Sequence, residues 1–275
     1  LGNGSDITGV TLNGTEVTSI ESQSATQLVV TAASGSAGVG DVVVTSTSYG
    51  VTTKTDAFTY NPAGEVVGDL SCSISAGENH SLALKSDGSL VAWGNNGSGQ
   101  TNAPSGTDFA AISAAANHCL ALKADGSIVG WGDNSSGQTN APAGTDFAAI
   151  SAGRYFCLAQ KTDGSLAAWD LYGEDCTLVP AGIDYSAISA GGSFGLALKT
   201  DGSMVGWGDD EYGQTNAPTG TDFVAISAGY LHGLALKTDG SLVAWGYNGL
   251  GQTNAPAGTD YVAISAGGYH NLALK

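Results

Sequence analysis

The stretch Ile74-Ser-Ala-Gly-Glu-Asn-His-Ser-Leu-Ala-Leu-Lys-Ser-Asp-Gly-Ser-Leu-Val-Ala-Trp-Gly94, continued by Asn95-Asn-Gly-Ser-Gly-Gln-Thr-Asn-Ala-Pro104, recurs to the end of the chain. Trp93, Trp131, Trp169, Trp207 and Trp245 keep a 38-residue step, as do Ile74, Ile112, Ile150, Ile188, Ile226 and Ile264. A fixed period of about 40 residues with several short apolar runs per copy predicts a propeller or solenoid, not a globule around one core. Five full copies end at Ala263, and a sixth runs to Lys275.

Each copy reads as three strands, about 71–76, 80–85 and 89–94 in the first. Asp87-Gly88 is a strong signal for a two-residue hairpin turn. That turn would set Leu84 opposite Val91 and Leu82 opposite Trp93. Alternation then predicts one bulky face (Leu82, Leu84, Val91, Trp93) and one smaller face (Ala83, Leu90, Ala92). A sheet apolar on both sides must be covered on both sides, and copies stacked bulky face to small face achieve this as propeller blades. Truncating Leu82, Leu84 or Trp93 is expected to cost about 2–5 kcal/mol through cavity formation.

Residues 1–61 lack the repeat and are rich in Thr, Val, Ser and Gly. Val10-Thr-Leu12, Leu28-Val-Val-Thr31, Asp41-Val-Val-Val-Thr45 and Ala57-Phe-Thr-Tyr60 read as short strands of a sandwich. Residues 62–73 form a linker, and the repeats fill 74–275. The whole is all-β, and 42 glycines against six prolines fit dense turns between ordered strands.

The net charge of −17, from 25 acids and eight bases, argues against nucleic acid or an anionic membrane as the main partner. No apolar run approaches about 18 residues, so no membrane insertion is expected, and no signal peptide pattern opens the chain. Cys72, Cys119, Cys157 and Cys176 are too few for a disulfide scaffold and too scattered for a zinc site. Cys157 and Cys176 fall in one copy and are an expected pair.

His80, His118, His232 and His270 share one repeat position that Phe156 and Phe194 fill elsewhere. A position that accepts phenylalanine is neither a catalytic base nor a metal ligand, so packing and a backbone hydrogen bond are expected there. Lys85, Lys123, Lys161, Lys199, Lys237 and Lys275 also share one position. The adjacent hairpin acids Asp87, Asp125, Asp163, Asp201 and Asp239 are expected to neutralise them. Asp133–Gly137 and Asp209–Glu211 offer oxygen ligands but lack the acid spacing of a calcium loop, which leaves calcium a minor alternative. No cofactor is expected.

Positions that differ between copies separate scaffold from free surface. They are the pair before each histidine and the four residues after each Trp-Gly, in two loops that emerge on one face. Early copies place small polar groups there, including Glu78, Asn79, Asn95 and Asn96. Later copies place Arg154, Tyr155, Leu171, Tyr172, Glu211, Tyr212, Tyr230, Leu231, Tyr247, Leu250 and Tyr269. Tyrosine, arginine and leucine on rigid loops make a protein-binding composition. Asp170–Pro180 departs from the repeat pattern and marks either drift or a specialised contact.

Two resemblances rest on these residues. Leu1–Gly14, Ser22–Val30, Gly40–Val44 and Ala57–Tyr60 resemble the later part of an IPT/TIG immunoglobulin-like domain, which implies that its opening strands lie before Leu1 and that the chain is a fragment. Ser-Ala-Gly-x-x-His, Leu-Ala-Leu-Lys-x-Asp-Gly-Ser, Ala-Trp-Gly and Gly-Gln-Thr-Asn-Ala-Pro over 74–275 resemble the regulator of chromosome condensation repeat family. They are most similar to its compact bacterial branch of β-lactamase inhibitory protein II-like repeats. The resemblance implies a ring of seven blades. The expectation is a non-enzymatic protein-binding module, extracellular or at the cell surface. The alternatives are a secreted hydrolase inhibitor and an intracellular nucleotide-exchange or signalling scaffold.

Overall fold

In a computed structural model, the described residues are the strand backbones within 7–60, together with residues 73–170 and 177–275. The chain divides into two compact units, Leu1–Asp69 and Leu70–Lys275. In the first, β1 (Ile7–Leu12), β2 (Thr15–Glu16), β5 (Gly38–Ser46) and β6 (Gly50–Tyr60) form an antiparallel sheet in the order β2-β1-β5-β6. A separate hairpin joins β3 (Ser19–Gln23) and β4 (Leu28–Thr31). The four expected strands lie within β1, β4, β5 and β6. The 62–72 part of the expected linker lies outside the described residues.

The second unit is a series of antiparallel blades. Blade 1 is β7 (Ser73–Ala76), β8 (His80–Leu84) and β9 (Leu90–Gly94); blade 2 is β10 (Phe109–Ala114), β11 (His118–Lys123) and β12 (Ile128–Gly132). Blade 3 is β13 (Phe147–Ala152), β14 (Cys157–Lys161) and β15 (Leu166–Trp169); blade 4 is β16 (Tyr185–Ala190), β17 (Phe194–Lys199) and β18 (Met204–Gly208). Blade 5 is β19 (Phe223–Ala228), β20 (His232–Lys237) and β21 (Leu242–Gly246). Blade 6 has β22 (Ala263–Ala266) and β23 (Asn271–Leu274).

The hairpin differs from the expectation. Gly88 N–H donates to Lys85 C=O at 3.0 Å, Lys85 N–H donates to Ser89 C=O at 2.9 Å, and Gly88 sits at φ 77°. This is a three-residue loop whose glycine takes the left-handed position of a bulge, not a two-residue turn. One extra loop residue shifts the register by one, and a one-residue shift exchanges the faces. Leu84 therefore opposes Leu90, Leu82 opposes Ala92 and Ser81 opposes Trp93. The leucine face carries Leu82, Leu84, Leu90 and Ala92, and the tryptophan face carries Ala83, Val91 and Trp93.

The stacking principle holds with these corrected faces. Leu84 and Leu90 of blade 1 pack on Phe109, Ala121 and Trp131 of blade 2. Leu120 and Leu122 of blade 2 pack on Phe147, Ala159 and Trp169 of blade 3, and Leu198 and Met204 of blade 4 pack on Phe223, Ala235 and Trp245 of blade 5. A leucine face against the next tryptophan face is the repeated joint. Blade 1 has nothing on its own tryptophan face among the described residues, so Trp93 is 50% exposed and cavity formation there does not apply.

One polar device locks every joint between described blades, and a second locks three of them. Serine Oγ in each first strand accepts the backbone N–H of an alanine 39 residues on: Ser75 from Ala114, Ser113 from Ala152, Ser151 from Ala190 and Ser189 from Ala228, each at 2.9 Å. Ser227 continues the series with Ala266 at 2.8 Å. The second device uses the histidines. His80 Nε2 lies 3.0 Å from Cys119 Sγ, His118 Nε2 3.2 Å from Cys157 Sγ, and His232 Nε2 2.9 Å from Asn271 Oδ1.

The receiving residue passes the hydrogen bond on. Cys119 Sγ donates to Gln100 C=O, Cys157 Sγ to Gln138 C=O and Asn271 Nδ2 to Gln252 C=O. A carbonyl can only accept, so the chain runs in one direction and the histidine presents Nε2–H. The expected backbone hydrogen bond of the histidines is absent: the Nδ1 atoms of His80, His118 and His232 have no hydrogen-bond partner. Where the histidine position holds Phe156 or Phe194, the residue 39 further on is Gly195 or Gly233, whose missing Cβ makes room for Trp207 or Trp245.

The expected Cys157–Cys176 pair is also corrected. Cys157 is a free, buried thiol, as is Cys119. Its side chain belongs to the joint with His118. Cys72 and Cys176 lie outside the described residues.

Candidate functional site

The first strands of all six blades line a central cavity of about 580 Å³. Loops between first and second strands form its mouth, and loops following third strands stand beside them: Asn95 N–H bonds Asn79 C=O at 2.8 Å and Tyr247 N–H bonds Leu231 C=O at 2.9 Å. Both loop sets therefore share one face, as expected from strand direction.

The rim is stitched by its own backbone. Arg154 N–H donates to Gly191 C=O at 3.0 Å, Gly192 N–H to Tyr230 C=O at 3.1 Å, and Tyr230 N–H to Gly268 C=O at 3.3 Å. The loops of blades 3, 4 and 5 are thus each fixed to the loop of the next blade. Gly192 matters here, because a Cβ would stand 2.5 Å from Tyr230 O.

The predicted residues fall into two groups. At the mouth, the Arg154 guanidinium lies 4.5 Å from the Tyr230 ring centre and 5.3 Å from that of Tyr155, and it hydrogen-bonds Tyr269. Tyr230 and Tyr269 meet edge to face at 5.5 Å. Glu78 of blade 1 hydrogen-bonds Tyr230 of blade 5 and interacts with Arg154 of blade 3, so this cluster spans the axis. Partial burial pushes the Tyr230 phenol up, Glu78 adds to the shift and Arg154 opposes it.

The second group is peripheral. Tyr212 and Tyr247 stack edge to face at 5.0 Å, and Glu211 hydrogen-bonds Tyr212. Leu231 and Leu250 do not join the mouth cluster, and Leu250 is exposed beside blade 6. Leu171 and Tyr172 lie outside the described residues.

Sequence reasoning left Glu78 out of the site. The signal was present, since Glu78 is the one acid and Arg154 the one base at the pair position before the histidine. The four residues after Trp-Gly are also less free than expected. Asn96 Oδ1 accepts Thr101 N–H and Asp210 Oδ1 accepts Thr215 N–H, both at 2.9 Å, so the second of the four holds the loop.

Charge separates by face. The bases Lys123, Lys161, Lys199, Lys237 and Lys275 stand at the hairpin end, paired with Asp108, Asp146, Asp184, Asp222 and Asp260 at 3.0–3.3 Å. These ion pairs are not with the expected hairpin acids, although each hairpin acid also feels the charge of its neighbouring lysine, as Asp87 does that of Lys85. The hairpin acids accept hydrogen bonds from serine, as Asp87 does from Ser89 N–H and Oγ, and these bonds, helped by Lys85, hold the Asp87 carboxyl below its ordinary range. On the loop face, Glu78, Asp133, Asp170, Asp209, Asp210 and Glu211 are accompanied among the described residues by Arg154 alone.

The loop acids do not assemble a metal site. Asp133 and Asp209 turn onto backbone N–H groups two residues ahead, and among the described residues no three His, Cys, Asp or Glu groups converge to hold a metal ion. No helix among them is long and apolar enough to cross a membrane.

Blades joined in series around a cavity, with variable side chains on one loop face, define a β-propeller. Residues 72–100, 109–138, 185–214 and 223–252 match the regulator of chromosome condensation (RCC1) repeat. No curated protein matches the sequence. Among solved structures, the chain is similar to Prp20p from Saccharomyces cerevisiae, studied for its binding to Gsp1p and histones, with 15% identity and a TM-score of 0.62 over 86% of this chain and 80% of that one. Yeast RCC1 (Prp20) bound to Kap60 gives 16% identity and a TM-score of 0.62 over 74% and 67%. The ectodomain of the Arabidopsis thaliana receptor kinase ACR4 gives 18% identity and a TM-score of 0.59 over 88% of both chains. At these identities the likeness concerns the fold.

Proposed function

We propose that this chain is a non-enzymatic protein-binding module, extracellular or at the cell surface, whose loop face takes a basic segment of a partner protein. The observation that carries the reading is the composition of that face: exposed Tyr155 and Tyr269 at a hydrogen-bonded rim and exposed Tyr212 at its periphery, among six acids and one base. Rigid tyrosines contribute contact area at little entropic cost, and the surrounding acids select a cationic partner. The use of similar folds to bind Gsp1p and histones in one protein, and in the ectodomain of a receptor in another, supports the reading. An IPT/TIG-like unit in residues 1–61 and a ring completed to seven blades belong to the same proposal.

The test is binding of the full chain to an array of lysine- and arginine-rich peptides and to their acidic counterparts. Cationic peptides should bind, weaken between 50 and 200 mM salt on the order of tenfold, and be lost in the Tyr155→Ser, Tyr212→Ser, Tyr269→Ser variant while its melting temperature holds. Equal binding of both charges, or binding indifferent to the tyrosines, would overturn the reading.

A further inference from the structure

The chain holds its single arginine on a pair of tyrosines and repeats the tyrosine pair elsewhere on the same face. At the mouth, Tyr230 and Tyr269 come from the loops of blades 5 and 6 and meet edge to face at 5.5 Å and 85°. Arg154 places its guanidinium 4.5 Å from the Tyr230 ring centre and hydrogen-bonds Tyr269. On the outer loops, Tyr212 of blade 4 and Tyr247 of blade 5 meet edge to face at 5.0 Å and 72°. Among the described residues no cation lies over either of these rings. The lysines that stand over aromatic rings do so at the hairpin end, as Lys199 does over Tyr185 and Lys237 over Phe223.

The outer pair departs from the repeat at a structural cost. In blades 1, 2 and 4 the first residue after Trp-Gly is Asn95, Asp133 or Asp209, and its side chain accepts the backbone N–H two residues on at 2.9–3.1 Å. Tyr247 takes that position and gives up that bond. Its N–H is held by Leu231 C=O at 2.9 Å, and its ring lies against Gly249, where a Cβ would meet the phenol. Tyr212 is 42% exposed, and its N–H donates to Oε1 of the buried Gln214 at 2.9 Å. Both rings are thus anchored through their loops. The surroundings are negative: the Tyr212 hydroxyl donates to Glu211, whose charge is the largest cause raising that phenol, and Asp209 adds to the shift. An edge-to-face pair leaves ring faces open, and a tyrosine face beside a carboxylate attracts a cation.

We propose that Tyr212, Tyr247 and Glu211 form a pocket for an arginine side chain of the partner, with its guanidinium on a tyrosine ring and its N–H groups on the Glu211 carboxylate. The pocket rests on the loop-face reading above and names the residue that the face selects. Arginine is favoured over lysine because a guanidinium is planar and weakly hydrated, and stacks on an aromatic ring while donating hydrogen bonds in its own plane. An ammonium keeps its water more strongly. Arg154 shows this group accepted by a tyrosine pair of the same geometry within the same fold.

The probes are two labelled peptides of equal length and charge, one of alternating glycine and arginine and one of alternating glycine and lysine, titrated into the full chain and followed by anisotropy. The arginine peptide should bind roughly fivefold tighter or more. The double variant Tyr212→Ser, Tyr247→Asn installs the residues that blade 1 carries as Ser98 and Asn95, so its melting temperature should hold. It should bring the two peptides to equal affinity. Glu211→Gln, at an exposed position, should weaken the arginine peptide more than the lysine peptide, and it decides the matter if the double variant does not fold. Equal binding of the two peptides by the parent chain, or a preference untouched by these variants, would overturn the pocket and leave the loop-face reading standing. Binding of neither peptide would overturn both.

Discussion

His118 and Cys157, 39 residues apart in sequence, meet at 3.2 Å across the joint between blades 2 and 3, and the thiol is aimed onward at Gln138 C=O. Every joint between described blades has one of two forms. A histidine meets a residue that accepts at one end and donates at the other, cysteine or asparagine, or a phenylalanine meets a glycine.

The two forms should be interchangeable only as pairs. Cys157→Gly alone strands the His118 Nε2–H and opens a void, for a loss of about 1–3 kcal/mol. His118→Phe alone must fit its ring beside the thiol. The double variant His118→Phe, Cys157→Gly should recover a large part of the summed loss, giving a coupling of about 1 kcal/mol or more in a denaturation cycle. Simple additivity would show that the pairing carries no energy.

Acid should weaken the propeller through the same residue. Burial pulls His118 down from 6.5 to about 4, Asp133 opposes the shift and His80 adds to it. Above pH 6.5 the imidazole is neutral in folded and unfolded chains, so its full contribution is present. Below 6.5 the unfolded chain takes up the proton first, and stability falls until the folded form titrates near pH 4. The loss is on the order of 3 kcal/mol. His80 and His232 are shifted down by burial too and act in the same sense. Urea midpoints between pH 7 and pH 4 should fall less steeply in the double variant than in the parent.

The buried thiols should be inert. Burial pushes Cys119 up to about 12 and Cys157 up as well, leaving almost no thiolate at neutral pH. Iodoacetamide at pH 8 should leave both unmodified in native protein and label both in urea. Rapid native labelling would show that the joints open.

Tryptophans in one repeat position should differ in their stability effects. In the 275-residue chain, where Trp93 is 50% exposed and no described residue covers its face, Trp93→Ala should cost under about 1 kcal/mol, whereas Trp169, 9% exposed with Nε1 on Gln138 C=O, should cost about 3–5 kcal/mol. Leu82→Ala, in a fully buried position, belongs with Trp169 at about 2–5 kcal/mol. Thermal melts of the three variants provide the check.

The period, the strand count and the stacking of unlike faces were legible because Ile74, Leu82 and Trp93 recur unchanged in type. The register was not. A two-residue and a three-residue loop can both contain Asp87-Gly88, and only the place of the glycine within the loop distinguishes them. The histidine partner escaped for another reason: it lies in the next copy, so reading one copy at a time cannot find it. Comparing copies would have found it, since cysteine or asparagine follows histidine and glycine follows phenylalanine 39 residues on. The tyrosine face was readable as composition. The cluster of Glu78, Arg154 and Tyr230 needs the curvature of the array, which brings blades 1, 3 and 5 to one axis, and no linear pattern contains it.

The serine bond that ties each first strand to the next has a genealogical consequence. Because every joint uses Ser Oγ and an alanine N–H at the same offset, unequal recombination can remove or duplicate a whole 38-residue unit and leave this fastening intact. The histidine position limits which exchanges survive. Excising blade 3 would set His118 against Gly195, whereas excising blade 2 would set His80 against Cys157, a pairing the molecule already uses. The lineage of such an array is free to change in length but is steered in the order of its units.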